Sequence, residues 1–224
     1  EEITKLRQKQ AEYLALQNQI NPHFLYNTLD TIVWLIESNS ADEAVDMVVS
    51  LSQFFRLVLS HGAEFISIRE EEQHIRSYLK IQQARYHDIL DYEINIDPEI
   101  YPYKILKLTL QPLVENALYH GIKYKRAMGK ITITGKQEDR HIVLIVQDNG
   151  VGMEPEQLAH LRRAIERPCK DTDGGFGLAN VNERIRMYFG DYYGMQIDSQ
   201  PNQGTVVTVT IPMKQLNSPE DNEK

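Results

Sequence analysis

The chain has a single cysteine, Cys169, so no internal disulfide can form. Packing and hydrogen bonding must hold it together, which agrees with a reducing compartment. No run approaches the roughly eighteen apolar residues of a membrane span, and nothing in the opening residues has the pattern of a secretory leader. The net charge of -8 lacks the basic surplus of a nucleic-acid binder. No GxxxxGK[ST] loop is present, which excludes the P-loop nucleotide site, and no internal repeat occurs. What is there is ordinary for a globular protein: 224 residues, 42% hydrophobic and 25% charged, enough for one large domain or two small ones.

The chain opens on EEITKLRQKQ, already inside a charged helical pattern. That leads to the expectation of a longer protein with a membrane anchor or sensor upstream. Residues 1–20 read as helix. Ile3, Leu6, Gln10, Tyr13, Gln17, Ile20 and Phe24 step by three and four, as in a coiled-coil seam or an ordinary amphipathic helix. Pro22 interrupts the pattern, either as a kink or as the first turn of a new helix capped by Asn21. Apolar spacing resumes through Leu25, Leu29, Ile32 and Ile36. Ser38, Asn39 and Ser40 mark a turn. Residues 42–60 read as a second helix with Ala44, Met47, Val48, Leu51, Phe54, Phe55 and Val58 on its apolar side. Two helices have too little area for a core, so the hairpin is expected to pair with a second copy as a four-helix bundle.

Residues 61–68 read as loop and 69–87 as a third, connecting helix opened by Glu70, Glu71 and Glu72. From Asp91 the period changes to two, the mark of a half-buried strand. A helix over 106–121 is expected next, then strands at 131–134 and 141–148, helices at 154–167 and 178–189, and closing strands at 195–199 and 205–213. A Gly- and Asp-rich loop fills 168–177. This order predicts an α+β chain: an N-terminal helical hairpin, then a two-layer α/β sandwich with a mostly antiparallel sheet. The expected divisions are 1–68, 69–90, 91–214 and a polar tail at 215–224.

Four stretches carry chemistry. Gln19 to Asn27 reads QINPHFLYN, and His23 there fits a core residue as well as a phosphoryl acceptor. In Leu110-Gln111-Pro112-Leu113-Val114-Glu115-Asn116-Ala117-Leu118-Tyr119-His120-Gly121, the polar Glu115 and Asn116 sit side by side in an otherwise apolar helix. The Asn116 amide oxygen suits Mg²⁺, and taken alone the pair is better explained as an exposed helix edge. Asp148-Asn149-Gly150-Val151-Gly152 ends a strand. A buried carboxylate there accepts hydrogen bonds only, as from an adenine amino group, and the glycines admit a flat base; a plain turn is the alternative. Gly174-Gly175-Phe176-Gly177-Leu178-Ala179-Asn180-Val181 runs glycines into a helix start, where backbone amides favour phosphate. A flexible loop before a cap is the alternative there.

In this order the last three motifs resemble the ATP-binding fold shared by sensor histidine kinases, DNA gyrase, the heat-shock protein 90 chaperones and the mismatch-repair MutL proteins, the GHKL type. NPHFLYN, together with the Gly-Leu-Ala-Asn-Val-Asn-Glu-Arg run at 177–184, resembles the sensor histidine kinases of the YesM/LytS type. The resemblance implies ATP-dependent autophosphorylation of His23 and transfer of the phosphoryl group to an aspartate on a response-regulator receiver domain. Glu115 and Asn27 join His23 as catalytic candidates. Asn116 would hold Mg²⁺. Asn116, His120, Lys123, Asp148, Gly150, Gly152, Gly175, Gly177 and Leu178 would form the ATP site. The implied setting is a homodimer, the cytoplasmic portion of a bacterial cell-membrane protein, with no nucleic-acid partner.

Two departures stand out. Tyr119 occupies the place where many members carry a phosphate-binding Lys, and Lys123, Lys125 or Arg126 would have to compensate. Phe24 follows His23 where other histidine-kinase families place an acidic residue. Competing expectations are an ATP-binding dimeric switch without chemistry and a chaperone-like ATPase in which Glu115 activates water. Asn27, at i+4 from His23, is a candidate for orienting a hydrolytic water. Asn27→Ala should therefore lower phosphatase activity and spare autophosphorylation. Unchanged phosphatase activity in the variant would remove that role.

Overall fold

The structure, a computed structural model, describes residues 22–59, 64–166 and 176–215. The expected helix over 1–20, the loop glycines Gly174 and Gly175, Cys169 and the tail beyond 215 lie outside the described residues. The chain divides into two compact units, Glu1–Gly62 with Ser77–Arg85, and Ala63–Arg76 with Tyr86–Lys224.

In the first unit, α1 (Pro22–Glu37) and α2 (Ala41–Val58) form an antiparallel hairpin. The turn works because Asn39 takes a left-handed φ of 60°, which asparagine tolerates better than most residues. The Ser40 N–H then closes back onto the Leu35 carbonyl at 2.9 Å. The inward stripe of α1 is Phe24, Thr28, Ile32 and Leu35, which shares Ile32 with the expected 25-29-32-36 series and lies one residue before it elsewhere. On α2 it is Ala44, Met47, Ser50, Phe54 and Val58, with Val48 exposed rather than inward. Thr28 and Ser50 are tolerated inside because their hydroxyls donate to the carbonyls of Phe24 and Asp46, both at 2.8 Å. Phe24 packs on Phe54 (centroids 5.0 Å) and stacks on Tyr78 (5.4 Å). Tyr78 belongs to α3 (Ile68–Arg85), a helix whose residues are divided between the two units. A second apolar face of the hairpin remains uncovered, with Tyr26, Leu29, Val33 and Trp34 on α1 and Val45, Val48 and Val49 on α2 all exposed.

The second unit begins with β1 (Phe65–Ser67), antiparallel to β3 (Lys104–Leu106) with Phe65 opposite Leu106. Both correct the sequence expectation, which had a loop at 61–68 and a helix starting at Leu106. Three-residue strands are too short to show a period. Ser67 and Glu70 make a reciprocal capping box at the start of α3: the Glu70 carboxylate accepts from the Ser67 N–H at 2.8 Å, and the Ser67 hydroxyl accepts from the Glu70 N–H at 3.2 Å.

The main sheet has five strands in the order β2-β4-β5-β7-β6: β2 (Leu90–Ile96), β4 (Gly129–Glu138), β5 (His141–Asp148), β7 (Gly204–Pro212) and β6 (Gly194–Gln200). Only β2 and β4 pair in parallel among the described strands; the other neighbours are antiparallel. Ile131, Ile133, Ile142, Leu144, Val207, Val209 and Ile211 are buried, while Thr132, Thr134, Thr208 and Thr210 alternate with them on the more open face. Helices α4 (Leu110–Asn116), α5 (Pro155–Glu166) and α6 (Phe176–Phe189) make the second layer. The expected helix over 106–121 is thus shorter. Leu108 has φ of 60°, so regular helix cannot begin before it, and after Asn116 the backbone widens into a π turn over Ala117–Gly121 and a 3₁₀ turn over Ile122–Tyr124. Helix α6 already includes Gly177, which the sequence placed in the preceding loop.

Two glycines with nearly the same positive φ separate backbone strain from crowding. Gly190, φ 96°, closes the end of α6, and a methyl there meets nothing within 4 Å. Gly204, φ 97°, lies against the Asp148 carbonyl, and a Cβ would come within 1.9 Å of that oxygen. Gly190→Ala should cost about 1 kcal/mol from φ alone. Gly204→Ala should cost roughly 3 kcal/mol or more, because backbone must move. Urea unfolding of the two variants measures the difference.

Candidate functional site

Asp148 is the last residue of β5 and only 3% exposed. Its carboxylate accepts from the Gly150 N–H at 2.8 Å and from the Thr205 N–H. Burial pushes its carboxyl up to about 6, against the opposing pull of those N–H groups and of the Lys125 ammonium. Gly121 lies directly over it, where a Cβ would stand 2.6 Å from Asp148 Oδ1. Gly150 in turn lies against the backbone of Gly121, and a Cβ on it would meet the Gly121 carbonyl carbon at 2.3 Å. Thus the end of the Leu110–Gly121 stretch and the start of the Asp148–Gly152 stretch interlock backbone to backbone, with the Asp148 carboxylate between them. The loop is fixed from both sides: the Val151 N–H donates to the Gly121 carbonyl at 3.2 Å, and the Val151 carbonyl accepts from the Asn202 N–H at 2.6 Å. Ser199 supports this turn, accepting from the Met153 N–H at 2.9 Å and donating to the Gly204 carbonyl at 2.8 Å.

Helix α4 buries Leu110, Leu113 and Val114 and turns Glu115 and Asn116 toward partial exposure. Asn116 is the last α-helical residue before the π turn, a widening common where a helix must present side chains for function. No cluster of three His, Cys, Asp or Glu that could hold a metal exists among the described residues. A single amide oxygen fits Mg²⁺ that arrives on phosphates and keeps its waters, rather than a metal held by a cage of protein ligands.

The start of α4 is tied to α3. Glu71, fully buried, accepts from the N–H groups of Leu108 (3.1 Å) and Leu110 (2.7 Å). Burial pushes its carboxyl up to about 7, opposed by the N–H groups of Leu110, Leu108 and Thr109 and by Arg184. Gln111 Nε2 donates to Glu115 Oε1 at 2.9 Å, and Gln111 Oε1 lies 2.8 Å from Nε2 of the buried His74.

Among the other residues named from the sequence, Gly177 approaches α4, where a Cβ would sit 3.6 Å from Pro112 Cβ. Leu178 is buried beside it in sequence. Gly152, φ 64°, has no room for a Cβ against the Gln200 carbonyl. His120 is exposed. The Lys123 ammonium lies over two rings, Tyr119 at 5.1 Å and Tyr86 at 5.3 Å, while Lys125 Nζ donates to the Asn149 carbonyl at 2.8 Å. Gly175 lies outside the described residues. His23 and Asn27 belong to the other unit; His23 is exposed, and Asn27 Nδ2 has no hydrogen-bond partner among the described residues. Sequence reasoning missed Gly121, Thr205 and Ser199 as parts of the Asp148 surroundings. Gly121 closes the Leu110 motif, and that was the available signal. Nothing local marks Thr205 or Ser199.

The raised carboxyl of Asp148 sets a pH dependence. A group held above its unfolded value contributes stability below the unfolded pKa, near 4, and loses it as pH rises through about 6. Asp148→Asn does not titrate. Between pH 4 and 7.5 the variant should gain on the parent by an increment on the order of 3 kcal/mol, read as the change in their difference in unfolding free energy.

Comparison with known proteins gives two family matches. The family described as "Histidine kinase" matches residues 11–90, and that described as "Histidine kinase-, DNA gyrase B-, and HSP90-like ATPase" matches residues 105–215. Sensor histidine kinase YesM of Bacillus subtilis (strain 168) is 38% identical over 207 residues, 92% of this chain and 34% of that protein. Sensor histidine kinase BtsS of Escherichia coli (strain K12) is 33% identical, covering 92% of this chain and 34% of its own length. Sensor protein LytS of Bacillus subtilis (strain 168) is 34% identical, covering 95% and 36%. The chain therefore spans about a third of the length of these curated relatives. Among solved structures, the catalytic domain of histidine kinase ThkA aligns with a TM-score of 0.51 at 17% identity, covering 68% of this chain and 99% of that one, a likeness of fold.

Proposed function

The chain belongs to the sensor histidine kinases, and from that premise we propose that it phosphorylates His23 from ATP and passes the phosphoryl group to a response-regulator aspartate. The observation that carries the nucleotide half is the buried Asp148 carboxylate under the Gly121–Gly150 backbone contact. A carboxylate that only accepts is matched to an exocyclic adenine amino group, and a floor without side chains is matched to a flat base. Asn116 would hold Mg²⁺, and the metal would supply charge neutralisation at the phosphates. Lys123, set over the Tyr119 and Tyr86 rings, supplies the cation where many members carry Lys at the place of Tyr119. Glu115 is the carboxylate that polarises the attacking group.

On the acceptor side, the nucleophile is the neutral form of the His23 imidazole, which has a free lone pair on one ring nitrogen. Its nitrogen attacks the γ-phosphorus, the bond from that phosphorus to the β–γ bridging oxygen breaks, and ADP leaves. His23 is exposed at the start of the described α1, while the neighbouring Phe24 anchors the turn against Phe54 and Tyr78. The uncovered face bearing Tyr26, Leu29, Val33 and Trp34 on α1 and Val45, Val48 and Val49 on α2 supports a homodimer that buries it as a four-helix bundle. No helix of the described residues is long and apolar enough to cross a membrane. An upstream sensor region in the membrane, with this part on its cytoplasmic side, completes the proposal.

Incubation with γ-labelled ATP and Mg²⁺ should give acid-labile, alkali-stable label on the chain, lost in His23→Ala. Phosphate release without label would replace the kinase with an ATPase, and neither signal would leave an ATP-binding switch. The wild-type affinity for ATP should also fall as pH drops through about 6, since a neutral Asp148 carboxyl accepts from adenine more weakly than the carboxylate.

A further inference from the structure

Helix α3 makes two polar ties to α4, and one of them leads to Glu115. His74 is 2% exposed, an expensive place for an imidazole unless its ring nitrogens are used. Its Nε2 faces Gln111 Oε1 at 2.8 Å, and Gln111 Nε2 faces Glu115 Oε1 at 2.9 Å. A carboxylate oxygen accepts, so the Gln111 NH₂ must be the end that meets Glu115. The Gln111 carbonyl is then left toward His74, and it too only accepts. His74 must therefore carry hydrogen on Nε2. The chain of donors runs one way, His74 to Gln111 to Glu115, with each hydrogen bond fixing the orientation of the next group. One turn earlier on the same helix, Glu71 binds the N–H groups of Leu108 and Leu110 and fixes where α4 starts. Gln111 and Glu115 are spaced i, i+4 on α4, so the tie also fixes which way the Glu115 side chain leans along that helix.

A purely structural role would be served by apolar packing between α3 and α4, which is usually at least as stabilising as a buried polar chain. What apolar residues cannot do is hold a half-exposed carboxylate in one rotamer beside Asn116. We propose that His74 and Gln111 are positioning residues that orient the Glu115 carboxylate for phosphoryl transfer, which makes the first half of α3 part of the catalytic machinery. This rests on Glu115 acting on the attacking group, as proposed above, and it adds two residues that touch neither nucleotide nor acceptor.

The test compares wild type with His74→Leu, His74→Gln, Gln111→Met, Glu115→Gln and the double variant His74→Leu/Glu115→Gln. The readouts are the rate of phosphohistidine formation at saturating ATP, the Kd for ATP, and the urea unfolding midpoint. Positioning predicts that His74→Leu and Gln111→Met slow the step about ten-fold or more, with Kd within about two-fold. His74→Gln, which restores an N–H donor, should recover most of the rate, and His74→Leu should add nothing to Glu115→Gln. Wild-type rates in His74→Leu, a further loss on top of Glu115→Gln, or a rate that falls only together with Kd and unfolding midpoint would each overturn the proposal. A wild-type chain that releases phosphate without labelling His23 overturns the kinase reading alone; the same proteins are then compared by phosphate release, with the same criteria. A wild-type chain with neither signal overturns both, because Glu115 would then have no chemistry to be positioned for.

Discussion

Everything in the larger unit is arranged around a place where no side chain fits. Gly121 and Gly150 touch through their backbones, Gly121 lies against the Asp148 carboxylate, and Gly204 lies against the Asp148 backbone carbonyl. Such a contact requires that β5, the end of the α4 segment and the β6–β7 turn meet within a few tenths of an ångström. The carboxylate is costly to bury, and the two N–H donors of Gly150 and Thr205 offset only part of that cost, as its raised pKa shows. A group kept under those terms is suited to a ligand that supplies one more donor.

The motifs of this site were legible in the sequence because its chemistry demands residues at short, fixed spacing. Asp148, Gly150 and Gly152 sit within five residues, and Glu115 and Asn116 are adjacent. The helices and long strands were legible from their periods, and the five-stranded sheet with its helical layer has the architecture that those periods imply. The hidden parts share one property: their partners are far away in sequence. Strand β1 is three residues long and pairs with β3 some forty residues on, with too few residues to alternate. Glu71 read as a favourable charge at a helix start, but it caps a different helix, 37 and 39 residues downstream. His74 carried no signal, and Gln111 was named only as part of its motif, since a hydrogen bond across 37 residues leaves no local pattern. The hairpin stripe on α1 was misplaced by one residue because α1 is apolar on two faces, and a period alone does not say which face is inner.

Helix α3 gives one element two allegiances. Its first half anchors α4 through Glu71 and His74, and its second half supplies Tyr78 to the aromatic cluster that holds Phe24, the neighbour of His23. The two units therefore share a helix as well as a linker, and the contacts at its two ends are of different kinds. One is aromatic and tolerant of small slips; the other is hydrogen-bonded and sensitive to fractions of an ångström.

The parallel pairing of β2 with β4 has a kinetic corollary. Parallel neighbours need a long crossover, and here the whole segment from Ile96 to Gly129, with α4 and the π turn inside it, is that crossover. Loop-closure entropy must be met before the pairing returns anything, so this strand pair is slow to form compared with the hairpins beside it. The helix that bears Asn116 is thereby assembled late, in the same event that closes the sheet edge. In a nascent or thermally strained chain the segment bearing Asn116 and the last strand pairing would be gained or lost together, and any ligand held by that segment would favour the closed sheet by mass action.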